Sequence, residues 1–365
     1  MTIPRIHRRL LWIGLGLLAL LLRWLFSFNP QFVEVVYSRS IFVLFRWIWD
    51  YTLGLLPLPL LYPAVLLLLG RGLWVYLKKR RLRSGRSLPH RAGAVLLDLT
   101  AFAGMCLFFF YVLWGFNYQR APIEAQLGLE MGTGPDRQQL LAEAEISTQE
   151  LLQSYAQVER DSLHALGASH LPENLERHLR QAEARVLKSL GFPAPGRVRC
   201  RRIWPAGTLL QLGATGIYIP FIGEGQVDAA LAPVSMPFTY AHEMAHAYGF
   251  GDEGSANFIA WLTCEQSGDP VIRYTGRLDY WFDVMGQLRQ EDSLAYERYR
   301  AMLPTGIEAD IASVRSVYER YPGFFPALSR KLYDTFLKGQ GIEEGIRSYS
   351  RVVGLVIAWR KRSDP

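Results

Sequence analysis

The stretch Pro237-Phe238-Thr239-Tyr240-Ala241-His242-Glu243-Met244-Ala245-His246 decides how this chain is read. His242 and His246 are four residues apart, so on an α-helix both imidazoles stand on one face, one turn apart. Two neutral imidazoles so placed can take a Zn²⁺ at ~2.0–2.1 Å each. Glu243 follows the first histidine and can reach a water at the metal without being a ligand. The five-residue pattern also arises by chance, and its flanks sharpen it. Phe238, Tyr240, Ala241, Met244, Ala245, Ala247 and Tyr248 surround the polar residues, and no other charge lies in the turn. Burying only His, Glu and His in such a helix is costly unless they serve a function. Gly249 and Gly251 then end the helix.

A hydrolytic zinc site keeps three protein ligands and one open position. The next helix supplies the third candidate. Glu253 opens it, and the glycine turn lets that helix fold back on the first. Asn257 falls one turn further on the same face, where it can hydrogen-bond a ligating histidine and fix its tautomer. Asp252 is the rival ligand, but as an N-cap it has a structural task of its own. The expected centre is one zinc ion on His242, His246 and Glu253, with Glu243 as base and Asn257 behind a ligand.

Upstream of the motif, the residues from Val198 to Trp204 alternate as a strand would, and Gly216 to Phe221 is short, β-branched and aromatic. Pro220 marks the latter as an exposed edge, so Ile217, Tyr218 and Ile219 are candidates for pairing with an extended peptide. Gly223, Gly225 and the residues after them read as a turn or a second short strand. Pro122 to Gly134 reads as a linker, Asp136 to Leu190 as helical, and the chain after Pro237 as helical to its end. The expected fold is α+β and mainly helical, with a small sheet ahead of the motif helix.

The first 120 residues differ in kind. They form a membrane region, and residues 121–365 form the globular domain. Three apolar segments, at about 10–28, 55–77 and 92–116, approach the ~20 residues that cross a bilayer. Arg5, His7, Arg8 and Arg9 precede the first. Lys78, Lys79, Arg80, Arg81, Arg83, Arg86 and Arg91 separate the second from the third. Both basic clusters are expected in the cytoplasm, which puts everything after Tyr118 outside it. The segment from Asn29 to Tyr51 suits an interfacial amphipathic stretch. Asp98 and Arg71 are either an intramembrane pair or residues snorkelling to the headgroups. The expected location is a bacterial inner membrane, spanned several times, with the lipid bilayer as partner. The net charge of +7 does not indicate nucleic acid, because the excess sits beside apolar runs. Cys200 and Cys264 could pair in an oxidising compartment; two buried thiols are the simpler reading.

The stretch from Gly213 to Glu224, followed by Pro237 to His246, resembles a family of bacterial membrane proteins known as domain of unknown function 3810, a zincin-like group. Trp114-Gly115-Phe116-Asn117-Tyr118 with Arg120, Asn29-Pro30, Leu337 to Gly341 and Gly345 to Val353 match as well. The resemblance implies three spans followed by an extracytoplasmic domain. Where relatives are expected to carry an acidic residue, this chain has Ser255. The Glu253 to Asn257 spacing also resembles membrane peptidases of the CAAX prenyl protease type, in which such a glutamate is the third ligand. Near the end of the chain, Tyr349 or Arg347 could supply a donor to a developing oxyanion. The reading is a membrane-anchored zinc metallopeptidase acting on a peptide or protein. The alternatives are a zinc amidase of cell-wall material and a non-enzymatic, zinc-ordered sensor or scaffold.

Overall fold

A computed structural model of the chain describes residues 5–81, 88–132, 134–161 and 163–363. Arg83 and Arg86 of the second basic cluster lie outside the described residues, as do the side chains of Arg5, Lys79, Arg80, Arg81 and Arg91. The chain forms two compact units. One comprises Met1–Arg120 with Pro220–Gly223, the other Ala121–Ile219 with Glu224–Pro365.

In the first unit, helices Arg5–Phe26, Leu61–Arg81 and Leu88–Leu113 contain three stretches long and apolar enough to cross a bilayer: Ile6–Phe26, Leu61–Lys78 and Ala92–Leu113. That is compatible with membrane association. The second helix starts later than expected. Pro57 and Pro59 lack the amide a helix interior needs, so residues 53–55 make a single 3₁₀ turn instead. The first and third helices meet glycine to glycine. A Cβ on Gly104 would lie 2.4 Å from the Trp12 carbonyl oxygen, and one on Gly16 would lie 2.5 Å from the Gly104 Cα. Small residues allow such backbone contact between membrane helices. Gly104→Val is therefore expected to destabilise this helix pair by about 1–3 kcal/mol. The check is the denaturant midpoint of the detergent-solubilised chain.

Asp98 pairs with Arg9 (Nη2–Oδ1 2.6 Å), not with Arg71. The segment expected to lie on the membrane surface has one apolar exposed side, with Val35, Leu44 and Trp47 50–60% exposed, and is held to its unit on the other by buried polar groups. Glu34 accepts from Arg120 (2.8 Å) and from Arg39 (2.8 Å), and Ser38 donates to Asn117 (2.8 Å).

In the second unit, strands β1 (Arg199–Ile203), β2 (Gly216–Ile219) and β3 (Glu224–Asp228) form one sheet in the order β1-β3-β2. β3 runs parallel to β1 and antiparallel to β2. All five β3 residues are buried, so the segment that read as a turn or short strand is the centre of the sheet. Asp228 closes its end by accepting amide hydrogens from Gly207, Leu209 and Ala230 at 2.7, 2.7 and 2.8 Å. The expected linker is not one. Ile123 and Leu127 are buried in a short helix, and Glu124 pairs with Arg351 (2.6 Å). Burial of two apolar side chains outweighs the flexibility that a glycine-rich sequence suggests.

The motif helix Met236–Ala247 sits at the centre of this unit, and every one of its residues is buried. An almost entirely apolar helix must be covered all round. Helices Leu175–Ser189, Glu253–Glu265 and Pro270–Glu291 and the sheet pack against it. Cys200 and Cys264 are buried free thiols, Cys200 beside Gly225 and Cys264 beside Gly276.

Candidate metal centre

The turn after the motif helix places the ligands. Gly249 adopts φ +91°, which a side chain would resist, and this reverses the chain. The Phe250 carbonyl thereby returns to the helix end and accepts a hydrogen bond from His246 Nδ1 (2.6 Å). Asp252 then caps the next helix, accepting from the Ser255 amide (2.9 Å) and hydroxyl (2.7 Å) and meeting Arg351 (3.1 Å). Asp252 is thus occupied as a cap, and Ser255 completes it.

Glu253 is the acidic residue that meets the imidazoles. Its Oε2 lies 3.2 Å from His242 Nε2 and 3.3 Å from His246 Nε2, and the two Nε2 atoms are 3.1 Å apart. Asn257 Oδ1 is 2.7 Å from His242 Nδ1, and its Nδ2 donates to the Tyr349 carbonyl (3.4 Å). Both acceptors facing the Nδ1 atoms can only accept, so each Nδ1 carries the proton. Each Nε2 then turns a lone pair towards the other and towards a carboxylate oxygen.

Three acceptors converging in a buried space could hold a cation. Two further observations agree. Glu253 Oε2 is buried with no hydrogen-bond donor. Burial would lower the His246 pKa, yet the Glu253 carboxylate overrides it and raises the value to about 9. Burial pushes the Glu253 carboxyl up, but the imidazoles win and hold it well below the usual carboxylate range. Among the described residues, His242, His246 and Glu253 are the group whose ligand atoms all lie within 4.8 Å of one another.

Glu243 lies beside this group. Its Oε2 is also buried without a donor, and burial raises its pKa to about 7. Glycines make its space. A Cβ on Gly216 of β2 would lie 2.4 Å from Glu243 Oε1, and one on Gly225 of β3 would lie 2.8 Å from Glu243 Cβ. β2, carrying Ile217, Tyr218 and Ile219, is an edge strand of the sheet and passes directly by this carboxylate.

The two C-terminal candidates separate. Tyr349 joins the centre, stacking on His242 (centroids 6.0 Å apart) and sharing hydrogen bonds with Glu253 and Tyr333. Burial, and then Glu253, push its phenol well above the ordinary value. Its hydroxyl therefore lies among the residues of the candidate centre. Arg347 is not brought to the centre: it is exposed, and its charge acts on Asp334. Tyr333 was not foreseen. It lies in helix Pro326–Gly339 and donates its hydroxyl to Glu253 Oε1 (2.5 Å). Eighty residues separate the pair, and no local spacing announces it.

Asn257→Ala is expected to weaken metal binding about 10–100-fold, because His242 loses the acceptor that fixes its tautomer. Competition with a fluorescent zinc chelator measures it.

Fold and centre together define a mainly helical protein with three candidate membrane helices and a buried His-His-Glu group fit to hold a metal ion. The chain belongs to the family described as Protein of unknown function (DUF3810), whose model matches residues 37–357. No curated protein and no solved structure matches it.

Proposed function

We propose that this chain is a zinc metallopeptidase anchored in a bacterial inner membrane, with its centre on the extracytoplasmic side. The observation that carries the reading is the convergence of two Nε2 lone pairs and a carboxylate oxygen without a donor beside Glu243, whose Oε2 is likewise buried without one. Two histidines and a glutamate are a donor set that suits zinc and leaves a position open. A purely structural site has no need of a base. The basic residues before the first candidate span support the orientation.

A zinc ion held there supplies Lewis acidity and brings the pKa of a water towards ~7. Glu243 takes the proton of the attacking water on its carboxylate and passes it to the leaving amine nitrogen. Burial prepares it for this by holding its pKa near neutrality. Asn257 and the Phe250 carbonyl orient the imidazoles, while Tyr333 and Tyr349 hold Glu253 in place. An extended peptide added to the edge of β2 would run past Glu243, since Gly216 touches that carboxylate.

The test uses the full chain, purified and placed in lipid nanodiscs. Zinc per chain is measured, and peptide hydrolysis is followed before chelation, after it and after zinc is returned. One zinc per chain, with hydrolysis lost on chelation and restored by zinc, is expected. Bound zinc with no hydrolysis across a diverse peptide library would overturn the peptidase reading in favour of a sensor or scaffold. A chain that binds no zinc would overturn the centre itself.

A further inference from the structure

The helix that carries Tyr333 is poorly covered. Of the fourteen residues in Pro326–Gly339, only Leu337 is buried. Tyr333 and Asp334 turn inward, the first to Glu253 and the second to the Ile346 amide (3.0 Å). The opposite face is apolar. Phe325, Leu328, Leu332 and Phe336 follow at helical spacing, and the first three are 69%, 53% and 61% exposed. The patch continues sideways. The Phe324 amide donates to the Gln211 carbonyl (2.9 Å), Gly213 approaches Ser329, and between them Leu212 is 60% exposed. A contiguous apolar surface of this kind marks a contact.

The charges around it say with what. Arg330, Lys331 and Lys338 belong to the same helix, with Asp334 as its single acid; Lys338 pairs with that acid, and Lys331 stands next to Leu332 and one turn from Leu328 at the border of the apolar face. Asp334 is spent on Lys338 (2.7 Å) and the Ile346 amide. Aromatic and leucine side chains edged by lysine are the composition of a helix lying in the headgroup layer of a bilayer. Lysine stems follow the apolar surface while their ammonium groups reach lipid phosphates. A water-facing helix would not need the first set, and a protein groove would not call for the second.

We propose that helix Pro326–Gly339 lies in the headgroup layer of an anionic lipid bilayer, its Phe325–Leu328–Leu332–Phe336 face turned to the acyl chains. Tyr333 on the same helix bonds a ligand of the metal centre, so the contact brings that centre to the lipid surface. Substrates would then be met at the bilayer, in membrane-proximal segments. The contact itself does not depend on whether the centre hydrolyses anything.

The test uses the full chain with Cys106→Ala and a nitroxide attached through Leu332→Cys, in nanodiscs containing phosphatidylglycerol. Leu332 is exposed, so the label costs no packing. The same label through Leu294→Cys, an exposed leucine on another helix, serves as reference. Collision of each label with oxygen, which enriches in lipid, is compared with collision with a water-soluble nickel chelate. The oxygen-to-nickel ratio at 332 is expected to exceed that at 294 several-fold, and to fall when phosphatidylglycerol is replaced by phosphatidylcholine. Equal ratios at the two positions would overturn the proposal. So would protection at 332 from both reagents, which would mean that protein covers the face, and dipolar broadening would identify a second copy. A high ratio indifferent to lipid charge would overturn the headgroup assignment.

Discussion

Glu253→Ala is expected to leave the purified chain with essentially no bound zinc while its fold persists. Glu253 supplies the one carboxylate oxygen that both imidazoles face, at 3.2 and 3.3 Å. Its loss removes a ligand outright, so the effect should exceed the ~10–100-fold expected for a residue that only orients one. Elemental analysis after dialysis gives the first readout. The second is thermal. A ligand that binds only the folded state at 100 times its Kd stabilises by about 2.7 kcal/mol. Added zinc should therefore raise the melting temperature of the native chain and leave that of the variant unchanged. A variant that keeps one zinc per chain would show that Glu253 is not a ligand.

Glu243→Gln is expected to separate chemistry from metal binding. The amide has nearly the same shape, so zinc content should match the native chain. The proton acceptor is gone, and positioned general bases contribute about 10²–10⁴-fold, so kcat should fall by that order. Glu243 Oε2 accepts from no donor, so the substitution breaks no hydrogen bond at that atom. Hydrolysis at the native rate with zinc retained would remove Glu243 from the mechanism.

Much of the centre could be read from the sequence, because its parts are local. His242, His246, Glu253 and Asn257 repeat at helical spacing across one turn, and helical spacing is what a sequence displays best. The same holds for the apolar lengths of the three candidate spans. Features that depend on distant segments were misread or missed. Tyr333 reaches Glu253 from another helix, Arg347 faces away by the turn of its 3₁₀ segment, and Asp98 finds Arg9 across two helices. The segment after Pro122 looked like a linker because its glycines are visible in the sequence and the core receiving Ile123 is not. Gly216 looked like a strand boundary. Its more specific reason, room for a carboxylate, lies in a helix a whole strand later.

The compactness of the ligand set has a bearing on the order of assembly. The three ligands fall between residues 242 and 253 and are joined by one short turn, so little chain entropy is lost in gathering them. Contacts of such short range form early when a protein folds. During synthesis the helical hairpin is complete well before residues 333 and 349 leave the ribosome. His242, His246 and Glu253 can therefore gather before the two tyrosines that later close over them are made.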